Sequence, residues 1–259
     1  MLPILIQTKY LTIYTMGIFL VLALFWFLYF VWRYVRLTPH REEQVFDVII
    51  LAGLAGVAVG RISFVLINLK DFIERGNSAM LALHLYPGIQ DSAALIVTVA
   101  CAALLFYRRK IPVSLVIAHM SIAFCIGMAL VSLGTLFAGT VVGTSTMIPL
   151  RIKYAGLDGL RHMVGLYQAL YYCFCAFLFH FLLMQARHHK SLYGVLIGLM
   201  LWVFAFSKVI FLSWIEKDLL YPTTLARTID VGLLVFLMLT GLGLLVYYLR
   251  LYVLKLNTR

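Results

Sequence analysis

Charge is scarce in this chain: Asp, Glu, Lys and Arg make up 12% of its 259 residues, against 64% hydrophobic. A soluble domain of that length cannot bury so much apolar surface, so lipid must be the main solvent. Cysteine is scarce too. Cys101, Cys125, Cys173 and Cys175 all lie inside apolar runs, which argues against a disulfide framework or a metal centre and leaves them as small hydrophobes. The sequence has no Walker-type loop, no His-Glu-x-x-His, no Gly-x-Ser-x-Gly and no chain of buried carboxylates. Those absences disfavour hydrolysis by a metal or a serine nucleophile and proton-coupled transport. Neither a metal nor a cofactor is expected.

What is present is a series of apolar runs, each roughly 20 residues long, the length a helix needs to cross a bilayer. Barrel strands would be about 10 residues and alternating. In hydrocarbon every backbone donor and acceptor must be satisfied internally, so these runs predict an all-α polytopic membrane protein of about seven spans. They fall near 11–32, 45–69, 85–107, 111–137, 164–184, 192–215 and 229–252. Residues 11–32 read as a retained first helix and not a signal peptide, because the run is long and no small-residue cleavage site follows it. Pro87, Gly88 and Asp91 interrupt the third run, as a re-entrant entry would, and Pro222 breaks the chain before the last. The one long connection, 138–163, carries Gly139, Gly143, Pro149, Gly156 and Gly159. It reads as a polar cap on a single transmembrane domain spanning 1–259.

The net charge of +11 does not point to nucleic acid, since the basic residues form short clusters between apolar runs and no aromatic-studded polar face. Anionic lipid headgroups suit it better. One set of connections holds Arg33, Arg36, Arg41, Arg108, Arg109, Lys110, Arg187, Lys190, Arg250, Lys255 and Arg259 against Glu42 and Glu43. The alternate set holds Lys9, Lys70, Arg75, Arg151, Lys153, Arg161, Lys217 and Arg227, diluted by Asp71, Glu74, Asp91, Asp158, Glu216 and Asp218. The positive-inside rule therefore places the N-terminus and the 138–163 cap outside and the C-terminus in the cytoplasm.

Ionisable side chains inside a span are costly and normally face the bundle interior with a partner or a task. Arg61 follows Gly53, Gly56 and Gly60 in the second span. Glycines at that spacing let another helix approach closely, and the guanidinium there either clamps a lipid phosphate or closes an interhelical hydrogen-bond network. Lys208 in the sixth span either touches a headgroup or snorkels to water. Asp47 and Asp230 sit near span ends, where capping or an ion pair is the default. His119 reads as a core histidine. His162 and Tyr167, at the entrance of the fifth span, either border one outer-leaflet cavity or anchor the interface.

Several of these residues carry a resemblance. Gly60-Arg61 with Phe64, the glycines Gly134, Gly139 and Gly143 within Val131–Gly143, and His162 with Leu166-Tyr167 resemble the prolipoprotein diacylglyceryl transferase family. The likeness runs from about Tyr14 to the last helix. It implies a multi-pass protein of the bacterial inner membrane that moves a diacylglyceryl group from phosphatidylglycerol to the lipobox cysteine of a prelipoprotein, releasing glycerol phosphate. It also implies substrate-binding roles for Tyr14, Gly60, Arg61 and Lys208 and catalytic roles for His162 and Tyr167.

The family's fourth-span signature, Gly-Arg-Leu-Gly-Asn-Phe-Ile-Asn-Gly-Glu-x-x-Gly, falls on Val131–Gly143. There its arginine becomes Ser132, its asparagines Thr135 and Ala138, and its glutamate Thr140. The family's His-Gly-Gly-Leu falls on Ser92, Ala93, Ala94 and Leu95, and its His-Pro-Ser-Gln-Leu-Tyr-Glu on His162 to Gln168. A further family arginine falls at Ser207, beside Lys208. These departures imply either a reduced mechanism carried by Arg61, Lys208 and His162, or a non-catalytic relative that binds lipid, a prelipoprotein signal peptide or other membrane proteins as a subunit of an assembly.

Overall fold

The computed structural model describes residues 4–8, 12–36, 41–75, 80, 88–154, 156–187, 192–217 and 224–257. Lys9, Pro87, Lys190, Asp218, Pro222 and Arg259, which entered the reading above, lie outside them. The described residues are 78% helical, and among them seven helices are long and apolar enough to cross a membrane. These are α1 (Thr15–Val35), α2 (Glu42–Ile67), α4 (Asp91–Arg108), α5 (Val113–Ala138), α6 (Val164–Ala186), α7 (Leu192–Leu212) and α8 (Thr224–Asn257); the short α3 (Leu69–Arg75) follows α2.

Local signals set several of the ends. Glu42 and Glu43 open α2 and Asp91 opens α4, placing carboxylates at the positive end of each helix dipole. Pro112 is the N-cap of α5, and Gly139 closes it at φ 70°, its N–H reaching the carbonyls of Leu136 and Thr135. Glycine takes that left-handed turn without steric penalty. The hydroxyls of Ser121, Ser132 and Thr135 donate to carbonyls three or four residues back in α5, so none is left unmade in hydrocarbon.

The sequence reading begins the first helix at residue 11, but Thr12–Tyr14 is a strand, β2, paired antiparallel with β1 (Ile4–Gln7). β-Branched and aromatic residues favour that extended form. A second small hairpin pairs β3 (Arg151–Ile152) with β4 (Arg161–His162).

Burial separates centre from rim. About half of α5 (50%) and of α7 (56%) is buried, against 17% of α1, α4 and α8. α5 packs on α1, α6 and α7, α7 on α8, and α2 on α4. Glycine makes several of these contacts close. A Cβ on Gly56 would fall on the Thr98 hydroxyl and 2.8 Å from the Ala94 carbonyl, and one on Gly60 would fall 2.8 Å from Ala94 Cβ. On Gly198 and Gly241 each Cβ would lie 2.7 Å from the other's carbonyl oxygen, so α7 and α8 meet backbone to backbone.

Candidate functional site

The cap is stitched to one end of the bundle by main-chain bonds. Thr144 N–H donates to Trp214 O (2.9 Å), Glu216 N–H to Val142 O (2.9 Å), His162 N–H to Thr144 O (3.0 Å) and Thr146 N–H to Leu160 O (2.9 Å). The segment 142–146 thus lies between the end of α7 and the β4 edge. Arg161 locks the seam, donating to Gly143 O at 3.2 Å and pairing with Glu216 at 3.1 Å.

Beside this seam is a cavity of about 400 Å³. All seven spanning helices reach its wall: Met16 from α1, Phe64 from α2, Ser92 from α4, Ser132 from α5, Gln168 from α6, Lys208 from α7 and Asp230 from α8. Val141 and Ile215 of the cap seam also line it. Most of these residues sit near one end of their helices, the end that bears the cap.

The wall is mainly apolar, and most of its polar side chains are engaged in local hydrogen bonds. Gln90 Nε2 and Ser92 Oγ both donate to Asp230 Oδ1, at 2.6 and 2.9 Å. Lys208 Nζ donates to Asp91 Oδ2 at 2.7 Å. Asn68, the C-cap residue of α2, donates through Nδ2 to Phe64 O at 2.9 Å. Tyr172, fully buried, shares a 2.6 Å hydrogen bond with Ser207.

Arg61 is buried, as the cost of a charge in hydrocarbon requires, but it is not on the cavity wall. Its Nε donates to Met80 O and its Nη1 to Gly88 O, both at 2.9 Å. The rings of Phe64 and Phe72 lie 5.7 and 5.3 Å from the guanidinium carbon. These bonds tie Arg61 to Met80 and to Gly88, which lies two residues before Gln90. Gly60 adjoins it: its carbonyl accepts from Gln90 N–H at 3.0 Å.

His162 and Tyr167 come together, with ring centroids 6.0 Å apart, and each also meets the Trp214 ring at 5.8 Å. His162 is buried, and its Nδ1 has no hydrogen-bond partner among the described residues. Tyr167 donates to Leu150 O at 2.6 Å. Neither residue lines the cavity; their cluster lies behind it, packed with Ile215 and Val141, which do. Tyr154 donates to His162 O at 3.2 Å. Burial pushes the Tyr154 hydroxyl above its ordinary range, so it keeps its proton.

Tyr14 is exposed at the end of β2 and does not reach the wall, whereas Met16, two residues on, does. His119 is buried, with Nδ1 at 2.7 Å from Leu115 O and its ring beside Tyr193. That is a satisfied core histidine. Of the wall's polar residues, Lys208, Asp91, Asp230, Ser92, Ser132, Thr135 and Gln168 entered the sequence reading; Asn68 and Gln90 did not, nor did the pairing of Asp91 with Lys208 or of Asp230 with Gln90 and Ser92. The available signal was charge balance, with two acids and one lysine within otherwise apolar stretches. Among the described residues no group of three or more His, Cys, Asp or Glu is arranged to hold a metal ion.

A family model described as prolipoprotein diacylglyceryl transferase matches residues 3–249, nearly the whole chain. No curated protein matches it.

Proposed function

Because the chain belongs to the prolipoprotein diacylglyceryl transferase family, whose members act on lipid and prolipoprotein substrates, we propose that the cavity at the capped end is its lipid site. We further propose that transfer there is strongly attenuated. One observation carries the first part. The polar wall includes Ser92, Ser132, Thr135 and Gln168, the positions on which the family's motifs fall. The membrane would be the bacterial inner membrane, with phosphatidylglycerol as donor and a lipobox cysteine as acceptor.

The transfer makes a carbon–sulfur bond as the thiolate attacks the glyceryl carbon. It breaks the bond from that carbon to the phosphate oxygen, which departs with the electron pair as glycerol phosphate. A base must take the thiol proton, and cations must balance the departing phosphate. Ser92 and Ser132 are poor replacements for a histidine and an arginine in those tasks. Lys208 is engaged by Asp91 and Arg61 by two carbonyls. Loss of one well-placed donor or cation at such a site lowers the rate by roughly a hundred- to a thousandfold. His162, with Nδ1 unpartnered among the described residues, is the base we assign to any residual reaction; since it stands off the wall, that reaction would need the acceptor thiol to reach past Val141 and Ile215, which is a further reason for a low rate.

The same engagement of Lys208 and Arg61 favours a second reading, a non-catalytic lipid-binding relative or subunit of a membrane assembly. Incubating the purified protein with phosphatidylglycerol and a lipobox peptide separates the two. A slow mass gain of one thioether-linked diacylglyceryl group, reduced further by His162→Ala, is the outcome expected of a weak transferase. Lipid retention without any product supports the second reading. Rapid lipidation, undiminished in His162→Ala and Arg61→Ala, would place the site elsewhere.

A further inference from the structure

Almost every polar side chain on the cavity wall is engaged within the protein. Lys208 donates to Asp91, Asp230 accepts from Gln90 and Ser92, and the charges of Lys208 and Asp230 act on one another. The hydroxyls of Ser132 and Thr135 donate to carbonyls of their own helix, and Tyr172 is bonded to Ser207. Two uncharged amides on the wall are the exception.

Gln168, on α6, is 9% exposed, and its amide makes no hydrogen bond among the described residues. Asn68, at the end of α2, is 6% exposed. Its Nδ2 donates to Phe64 O, which turns Oδ1 the other way, and Oδ1 is buried without a hydrogen-bond partner among the described residues. Amide groups left in that state inside a protein are costly, so both call for a ligand that completes them.

The chemistry of the two amides selects among headgroups. Asn68 Oδ1 needs a donor, while Gln168 offers both an acceptor, Oε1, and a donor, Nε2. A trimethylated ammonium brings no donor. A primary ammonium brings donors but nothing that can accept from Gln168, and the carboxylates that would best meet its charge already have partners in Lys208, Gln90 and Ser92. A hydroxyl both donates and accepts without adding charge. We infer that Asn68 and Gln168 read the hydroxyls of a glyceryl headgroup, one hydroxyl donating to Asn68 Oδ1 and another exchanging a hydrogen bond with the Gln168 amide. The inference rests on the reading of the cavity as a lipid site and names the side chains that recognise the headgroup there. Recognition of this kind needs no free cation, which suits a wall whose lysine is held by Asp91.

The test is a titration of the purified full chain in detergent with phosphatidylglycerol and phosphatidylethanol of identical acyl chains, read by native mass spectrometry. The two lipids carry the same phosphate charge and differ in the headgroup hydroxyls. Phosphatidylglycerol should bind about tenfold tighter. Asn68→Leu and Gln168→Met are close in shape and lack the amide, so each should lower that preference and the two together should erase it. Asn68→Leu spares the helix end, because Phe64 O still accepts from the backbone N–H of residue 68 at 3.2 Å. Equal binding of the two lipids by the unaltered chain would overturn the hydroxyl inference while leaving the cavity a lipid site. Retention of neither lipid would overturn both. A preference that survives the double variant would overturn the assignment to Asn68 and Gln168. The comparison in the unaltered chain stands even if a variant fails to fold.

Discussion

Arg61 presents a planar fork, and the carbonyls of Met80 and Gly88 each take an N–H from it at 2.9 Å. Arg61→Ala removes both bonds and leaves two carbonyls without that donor. Hydrogen bonds to a charged group contribute about 1.5–3 kcal/mol each, so this variant should unfold at a clearly lower temperature in detergent. Arg61→Lys should recover only part of the loss, because an ammonium is a point donor without the fork's geometry. An unchanged unfolding midpoint in Arg61→Ala, coupled to weaker lipid binding, would restore the phosphate-clamp reading. That Arg61 is buried could be read from the sequence, since an intramembrane charge has to face inward. Its partners could not, because they lie 19 and 27 positions away and a carbonyl oxygen has no sequence signature. Asp230 is the same lesson from the other side. Its position near a span end suggested a cap or an ion pair, and its partners include Gln90 and Ser92, 140 and 138 positions earlier.

Between helices, the glycines of α2 divide into two kinds. A Cβ at Gly56 would run into Thr98 and Ala94 of α4, whereas one at Gly53 would meet nothing within 4 Å. Gly56→Ala should therefore lower stability by about 1–3 kcal/mol through overpacking. Gly53→Ala should be neutral or slightly stabilising, since alanine is the better helix former. Thermal unfolding of the two variants side by side checks this, and equal effects would mean that α2 and α4 do not meet at Gly56. The existence of the spans was legible because a long apolar run has few alternatives in lipid. Their ends were less so. Hydropathy does not distinguish a strand at Thr12–Tyr14 from the start of α1, nor does it halt α8 where its apolar stretch gives way to Arg250.

For the molecule as a whole, the cavity draws on every spanning helix at the end that carries the cap, so the side of the membrane the cap occupies would decide which compartment supplies the acceptor proposed above. The distribution of Lys and Arg predicts that the cap faces outward and that Arg108, Arg109 and Lys110 face the cytoplasm. Single cysteines introduced at positions 109 and 156, in a chain lacking Cys101, Cys125, Cys173 and Cys175, test this with an impermeant thiol reagent on intact cells. Labelling at 156 and not at 109 is expected, and the reverse pattern would invert the topology. Alternation of the apolar runs made the shared end of the bundle legible. The cavity itself was not, because it is enclosed by side chains from seven separate stretches of the sequence.

Helix α8 runs unbroken for 34 residues, about 51 Å at about 1.5 Å per residue, while the hydrocarbon layer is only about 30 Å thick. The helix therefore overshoots the oily slab even when it leans. Measured from its start at the capped end, Tyr247 and Tyr248, stacked edge to face at 5.1 Å, fall about 35 Å along it, at the depth where aromatic rings anchor to headgroups. Gly241 binds this helix to α7 about two turns before that anchor. A change in local bilayer thickness that pulls on the tyrosines would thus be transmitted along a stiff rod to Asp230, making the cavity wall responsive to the thickness of the membrane around it.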